Sequence, residues 1–105
     1  MSELKTVEVA IVHVKHPNTR SPIRRLIYYV LEREAYPSDL GWVVLRGETI
    51  RKLERLAERA KSVEGVSNAV KIYWVRIPAD LLEELIREKE EREVMKGGRA
   101  IAQGS

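Results

Sequence analysis

The chain has 105 residues, a third of them charged, a formal net charge of +3 and neither cysteine nor phenylalanine. That length supports one hydrophobic core rather than two, and the lack of thiols excludes disulfides and thiolate metal sites. No apolar run approaches the roughly 20 residues of a membrane span, and Met1-Ser2-Glu3 is unlike a signal peptide, so a soluble, cytoplasmic protein without a membrane partner is expected.

Thr6 to Val14 reads as a strand with both faces largely apolar, which suits a central position covered on both sides. Lys15 to Arg20 is a loop of turn formers. Ser21-Pro22 then gives a helix start, with Ser as N-cap and Pro at the first helical position. Ile23, Leu26, Ile27, Val30 and Leu31 recur at helical spacing as its buried stripe, and the helix should reach Glu34 and stop before Pro37. Asp39-Leu40-Gly41 turns the chain into a short strand, Trp42 to Arg46. A second helix follows over Ile50 to Lys61, with Ile50, Leu53, Leu56, Ala57 and Ala60 inward.

Ser62 to Asn68 is a connection with room for a short strand around Val63 to Val66. Ala69 to Ile77 is a further strand. Pro78-Ala79-Asp80 opens the last helix, whose apolar residues Leu81, Leu82, Leu85 and Ile86 are confined to its first half. The charged run Arg87 to Glu93 should project from the body and leave Val94 and Met95 for a partner or a distant patch. Gly97-Gly98 is expected to end the helix. The chain thus reads as one globular domain over 1–96 and a flexible tail over 97–105. Its β-α-β-α-β-α order predicts an α+β fold with a small sheet of three or four strands packed with helices. Strict alternation leaves a parallel three-layer α/β arrangement as the alternative.

Charge is unevenly spread. Residues 1–78 carry 14 Lys/Arg against 9 Asp/Glu, whereas residues 79–96 carry 4 against 7. No carboxylate occurs from Val9 through Leu31, a span that holds Lys15, Arg20, Arg24 and Arg25. A basic body of this kind suits a polyanion. Lys71-Ile72-Tyr73-Trp74-Val75-Arg76 adds the second ingredient, rings interleaved with cations on a strand. Flat rings stack on bases while Lys and Arg meet phosphates.

The first helix repeats the theme. Arg24 and Arg25 lie in its opening turn, with Arg20 just upstream, where the partial positive charge of the helix end disfavours cations and attracts anions. Tyr28 and Tyr29 follow one turn later. Trp42 and Arg46 on the second strand match Trp74 and Arg76, and a cleft edge with an apolar floor and a cationic rim would satisfy all four. The stripe Arg51, Arg55, Arg59 is matched by Glu54 and Glu58, the pattern of a solvated, self-paired helix face.

Catalytic patterns are missing. His13 and His16 lie three apart without a third ligand, so a structural His13 is expected and no metal or cofactor. Asp39 and Glu48 are ordinary loop acids, and no phosphate loop or nucleophile elbow occurs. A non-enzymatic protein is expected. A protein-interaction or assembly module is the alternative, its basic aromatic face meeting an acidic helix such as Glu83 to Glu93.

In size, Lys/Arg/Glu-rich composition, element order and the placing of Arg24, Arg25, Tyr28, Trp42, Arg46, Tyr73, Trp74 and Arg76, the chain resembles the ThermoDBP-related single-stranded-DNA-binding proteins of thermophilic archaea. The resemblance spans Thr6 to Lys96. It implies non-sequence-specific binding of single-stranded DNA through a basic, aromatic-lined cleft, by a homo-oligomer. The zipper-like C-terminal extension of that family has no counterpart here, since no heptad continues past Ile86. The expected contacts to single-stranded DNA or RNA are Arg20, Arg24, Arg25, Tyr28, Tyr29, Trp42, Arg46, Lys71, Tyr73, Trp74 and Arg76.

Overall fold

The computed structural model describes residues 5–15 and 20–104, with side chains described through Val94. Its elements are β1 (Thr6–Val14), α1 (Pro22–Glu34), β2 (Tyr36–Ser38), β3 (Gly41–Val44), α2 (Gly47–Glu64), β4 (Val70–Pro78) and α3 (Ala79–Gly104). The four strands form one antiparallel sheet in the order β2-β3-β1-β4. The fold is α+β, and the parallel alternative is excluded.

The reason is β2, a strand of three residues absent from the sequence-based expectation. It pairs with β3 through a tight turn, in which the Ser38 hydroxyl donates to the Gly41 carbonyl (2.7 Å) and accepts from the Leu40 amide (3.1 Å). That hairpin reverses the chain between α1 and β3, so β3 runs against β1. Pro37 is tolerated in β2 because an edge strand can lack a donor.

β1 is central and covered on both faces, as its two largely apolar faces demand. Ala10 and Val12 face Ile23, Ile27 and Leu31 of α1 and Ile50, Leu53 and Ala60 of α2 in the larger core. Val9 and Ile11 face the other way, toward Val43, Ile77 and Leu85 of α3. Full burial of Ile27, Leu31 and Leu53, at roughly 1.5–3 kcal/mol each, outweighs any local helix signal and fixes α1 and α2 on the sheet.

Helix ends are tied explicitly. The Ser21 hydroxyl accepts from the Arg24 amide (3.1 Å) and donates to Glu64 of α2 (2.7 Å). At the opposite end Glu34 accepts from the buried Thr49 hydroxyl (2.8 Å) and from the Lys52 ammonium (2.7 Å). α2 runs on to Glu64 and ends at Gly65 in the left-handed conformation (φ 68°), so no strand forms around Val63.

α3 starts where β4 ends, and its first three turns pack Leu81, Leu82 and Leu85 on the sheet. Lys89 then docks on the end of α1, donating to the carbonyls of Ala35 (2.7 Å) and Arg33 (3.2 Å). Its ammonium also lies over the Tyr36 ring, 4.9 Å from the centroid. Burial lowers the Lys89 pKa from the ordinary lysine value, with Glu93 and Glu34 opposing that shift. The helix does not stop at Gly97-Gly98 but continues to Gly104. A helical glycine costs only about 1 kcal/mol relative to alanine, and good helix formers flank this pair. The Met95 side chain expected to meet a partner lies outside the described residues, as do His16, Pro17, Asn18 and Thr19. Val94 is exposed.

Candidate nucleic-acid interface

β4 is the edge of the sheet, and neither helical layer reaches across its middle. On one face α1 and α2 cover the Val70 and Ile72 end. On the other, α3 covers the Ile77 end. Between these covers Tyr73 is 45%, Trp74 60% and Val75 36% exposed, and Arg76 is exposed as well. The strand keeps its order through nine register pairs with β1, from Thr6 opposite Pro78 to Val14 opposite Val70. Two rings and a guanidinium are therefore held in solvent on a rigid ribbon.

Alternation sorts them. Trp74 and Arg76 share the face of their partners Ala10 and Glu8. Arg76 is oriented by Thr6, its Nε donating to the hydroxyl (3.0 Å) and its terminal nitrogen to the carbonyl (3.4 Å). Lys71 and Tyr73 share the opposite face with His13 and Ile11. There His13 Nε2 donates to the Leu40 carbonyl (2.7 Å), which fixes the tautomer. Its ring tilts against Tyr73 with centroids 5.3 Å apart. A mainly apolar groove of about 370 Å³ runs between them, lined by Ile11, His13, Leu40, Tyr73, Val75 and Ile77, with Arg76 at its edge.

Gly41 makes this approach possible. Its φ of 126° is a glycine conformation, and a Cβ there would stand 2.6 Å from the His13 ring.

On the same face, beyond the groove lining, Lys15 and Lys71 lie beside each other. The Lys71 amine, through hydrogen bonding and then charge repulsion, lowers the pKa of Lys15 from the ordinary lysine value. Among the described residues no carboxylate is paired with either. A phosphate between them would remove the repulsion.

The other expected contacts do not join this surface. Trp42 shares the sheet face of Trp74, but Ala10 and Val12 between their strands are fully buried under the helices. Trp42 is half-buried against the core and lines a separate cleft with Glu32, Pro37, Lys89, Arg92 and Glu93. The row Arg24, Tyr28, Glu32 leads along α1 to that same cleft, on the β2 side. The Arg24 guanidinium lies over the Tyr28 ring at 4.8 Å, and Tyr28 packs on the core.

Tyr29 is exposed on the outside of α1, accepting from Arg33 (2.6 Å). Arg25 donates to the Arg20 carbonyl (3.3 Å). Beside them the Ser21 hydroxyl is bonded to the Glu64 carboxylate, so this helix start already holds an anionic group. Arg46 precedes α2 and pairs with Glu48 (3.1 Å). The single cleft uniting Trp42, Arg46, Trp74 and Arg76 does not form. Sequence reasoning missed Lys15 and Leu40 as parts of the surface and took His13 as structural only. The period of two from His13 to Lys15 placed that pair beside Lys71 once the register was known.

A larger cleft of about 640 Å³ lies between α3 and the β2-β3 turn, lined by Leu40, Leu81 and Leu85 and by the carboxylates of Asp39, Glu84 and Glu88, with Arg92. Its prevailing charge is wrong for a polyanion. No group of three His, Asp or Glu side chains placed to hold a metal occurs among the described residues, and none of the described helices is long and apolar enough to cross a membrane. No protein-family model matches the chain, and no curated protein or solved structure matches it.

Proposed function

We propose that this protein binds single-stranded nucleic acid along β4, without sequence specificity and without chemistry. The observation that carries the reading is the exposure of Tyr73, Trp74 and Arg76 on an ordered strand that is half-buried from Val70 to Ile72 and buried at Ile77. A ring of Trp size left in water forgoes several kcal/mol of burial, a cost that stacking on bases recovers. Trp74 with Arg76 offers a ring and a guanidinium on one face. On the other, Tyr73 with Lys71 and Lys15 offers a ring and two lysines that no carboxylate pairs with among the described residues. Each stacked base contributes about 1–3 kcal/mol, so one ring on each face plus three cations supports micromolar binding. The same surface suits the function implied by the resemblance to ThermoDBP-related proteins, carried by fewer residues than that resemblance named.

Fluorescence anisotropy with labelled single-stranded DNA, single-stranded RNA and duplex DNA of equal length tests it. Single strands should bind more tightly than duplex, with log K falling against log salt at a slope near −2 for about three phosphate contacts at roughly −0.7 each. Equal or tighter duplex binding, or no binding at tens of micromolar protein, would remove the proposal.

A further inference from the structure

We propose that β4 also joins two copies of this chain, pairing antiparallel with β4 of a second copy about a two-fold axis normal to the sheet at Trp74. The outer side of β4 has no strand beside it in the sheet order. Which backbone groups it offers follows from the bonds at its ends. The Ala69 carbonyl accepts from the Lys15 amide (2.7 Å), and the Ala79 amide donates to the Lys5 carbonyl (2.8 Å), so odd-numbered residues point toward β1. The N–H and C=O groups of Val70, Ile72, Trp74 and Arg76 therefore point outward.

Such an edge is normally blunted by charges, proline, bulges or a cover, and here Lys71, Arg76 and Pro78 supply them only toward the ends. β4 has none over Ile72 to Val75, and Pro78 closes only its last donor. An open edge with four uncharged residues between Lys71 and Arg76 is a template for a further strand.

Charge selects a second copy as that strand. With Trp74 on the axis, Trp74 pairs with its own copy, Ile72 with Arg76, Tyr73 with Val75 and Lys71 with Ile77 of the other chain. No two cations stand opposite each other. Lys71 lies on the face that carries α3, so each Lys71 comes beside Ile77 of the second copy, where that copy's α3 begins. The opening turns of α3 carry Asp80, Glu83 and Glu84, all exposed. The crowded Lys15 and Lys71 of each chain thus meet the acidic helix start of the other, twice per dimer. The sheet becomes continuous across the axis, and both of its faces remain open. The two Trp74 rings become neighbours on one face, each flanked by an Arg76, so on that face the pairing doubles the ring-and-guanidinium platform. A nucleic acid would then meet one face at a time instead of passing around the edge of β4, and the pairing itself does not depend on that binding.

Sedimentation equilibrium of the full chain without nucleic acid is the direct test and is independent of the binding reading. A mass near twice 12.1 kDa is expected, and a monomer at all concentrations up to hundreds of micromolar would overturn the proposal. Arg76→Pro, which removes an outward N–H while sparing the bonds to β1, should abolish the dimer. Lys71→Glu should weaken it at least tenfold, and adding Asp80→Lys and Glu84→Lys should restore it. A dimer indifferent to all of these would lie elsewhere.

Register is tested by oxidation, because the chain has no cysteine of its own. Tyr73→Cys and Val75→Cys chains should cross-link to each other, since a non-hydrogen-bonded pair sits near 4.5 Å between Cα atoms. Neither should cross-link to itself. Self-cross-linking of Tyr73→Cys chains would contradict the axis at Trp74.

Discussion

Glu34 stands where the end of α1 meets the start of α2, its two oxygens divided between a buried hydroxyl and an ammonium. Lys52 first and Thr49 second hold its pKa below the ordinary glutamate value, against a desolvation effect that raises it. A carboxylate depressed in the folded state stabilises the protein above its unfolded pKa and loses that contribution as pH falls through the lowered folded value. Urea unfolding should therefore show Glu34→Gln less stable than the parent at pH 7, by about 1 kcal/mol for a partly buried pair with one hydrogen bond to a buried hydroxyl. The gap should narrow by pH 3, and a gap unchanged between the two would deny the role. The two tryptophans diverge at the same scale. Trp42→Ala should lower the melting temperature, because its ring packs on the core, whereas Trp74→Ala should leave it nearly unchanged. Trp74→Ala should instead weaken single-strand binding by roughly 5- to 150-fold, the equivalent of 1–3 kcal/mol.

Among the elements, those with strong periodicity were legible in the sequence. β1 and α1 follow from alternation and from the Ser21-Pro22 start, and both keep the expected bounds. β2 was hidden because three residues containing a proline carry no period. Its absence from the reading also hid the direction of β3. The site was half legible: β4 and the alternation of its side chains could be read. What could not be read was which parts of its faces the helices leave bare, because that depends on where α1, α2 and α3 cross the sheet. The same crossing removes Trp42 and Tyr28 from the surface despite a similar local pattern. α3 depends on a long-range tie rather than on its own apolar stripe, which ends at Ile86. Lys89→Ala removes two bonds to the α1 carbonyls and the contact with Tyr36. Hydrogen exchange in α3 beyond Leu85 should then quicken while β1 stays protected, and equal protection in both chains would show that the tie is dispensable.

At the scale of the whole molecule, one sheet is capped on opposite faces by helices that cross it in different places. α1 and α2 cover one end of β4 and α3 covers the other, so the middle of the edge strand emerges on both sides. The charge distribution follows the same division. Residues 1–78 carry the basic excess, with Lys15, Lys71 and Arg76 at β4 and Arg20, Arg24 and Arg25 at the start of α1, while the acids of residues 79–96 ride on α3. On the proposed reading, a polyanion would meet the cations of β4 rather than the carboxylate-lined cleft beneath α3.

The measurement that tests this most directly uses the two tryptophans as separate reporters. Trp42→Phe and Trp74→Phe chains are titrated with single-stranded DNA at low salt, and intrinsic emission is followed. Quenching in the Trp42→Phe chain, lost in the Trp74→Phe chain, is the result expected of a base stacked on β4. Quenching that follows Trp42 instead would place the nucleic acid on the β2 side of the sheet and contradict the account.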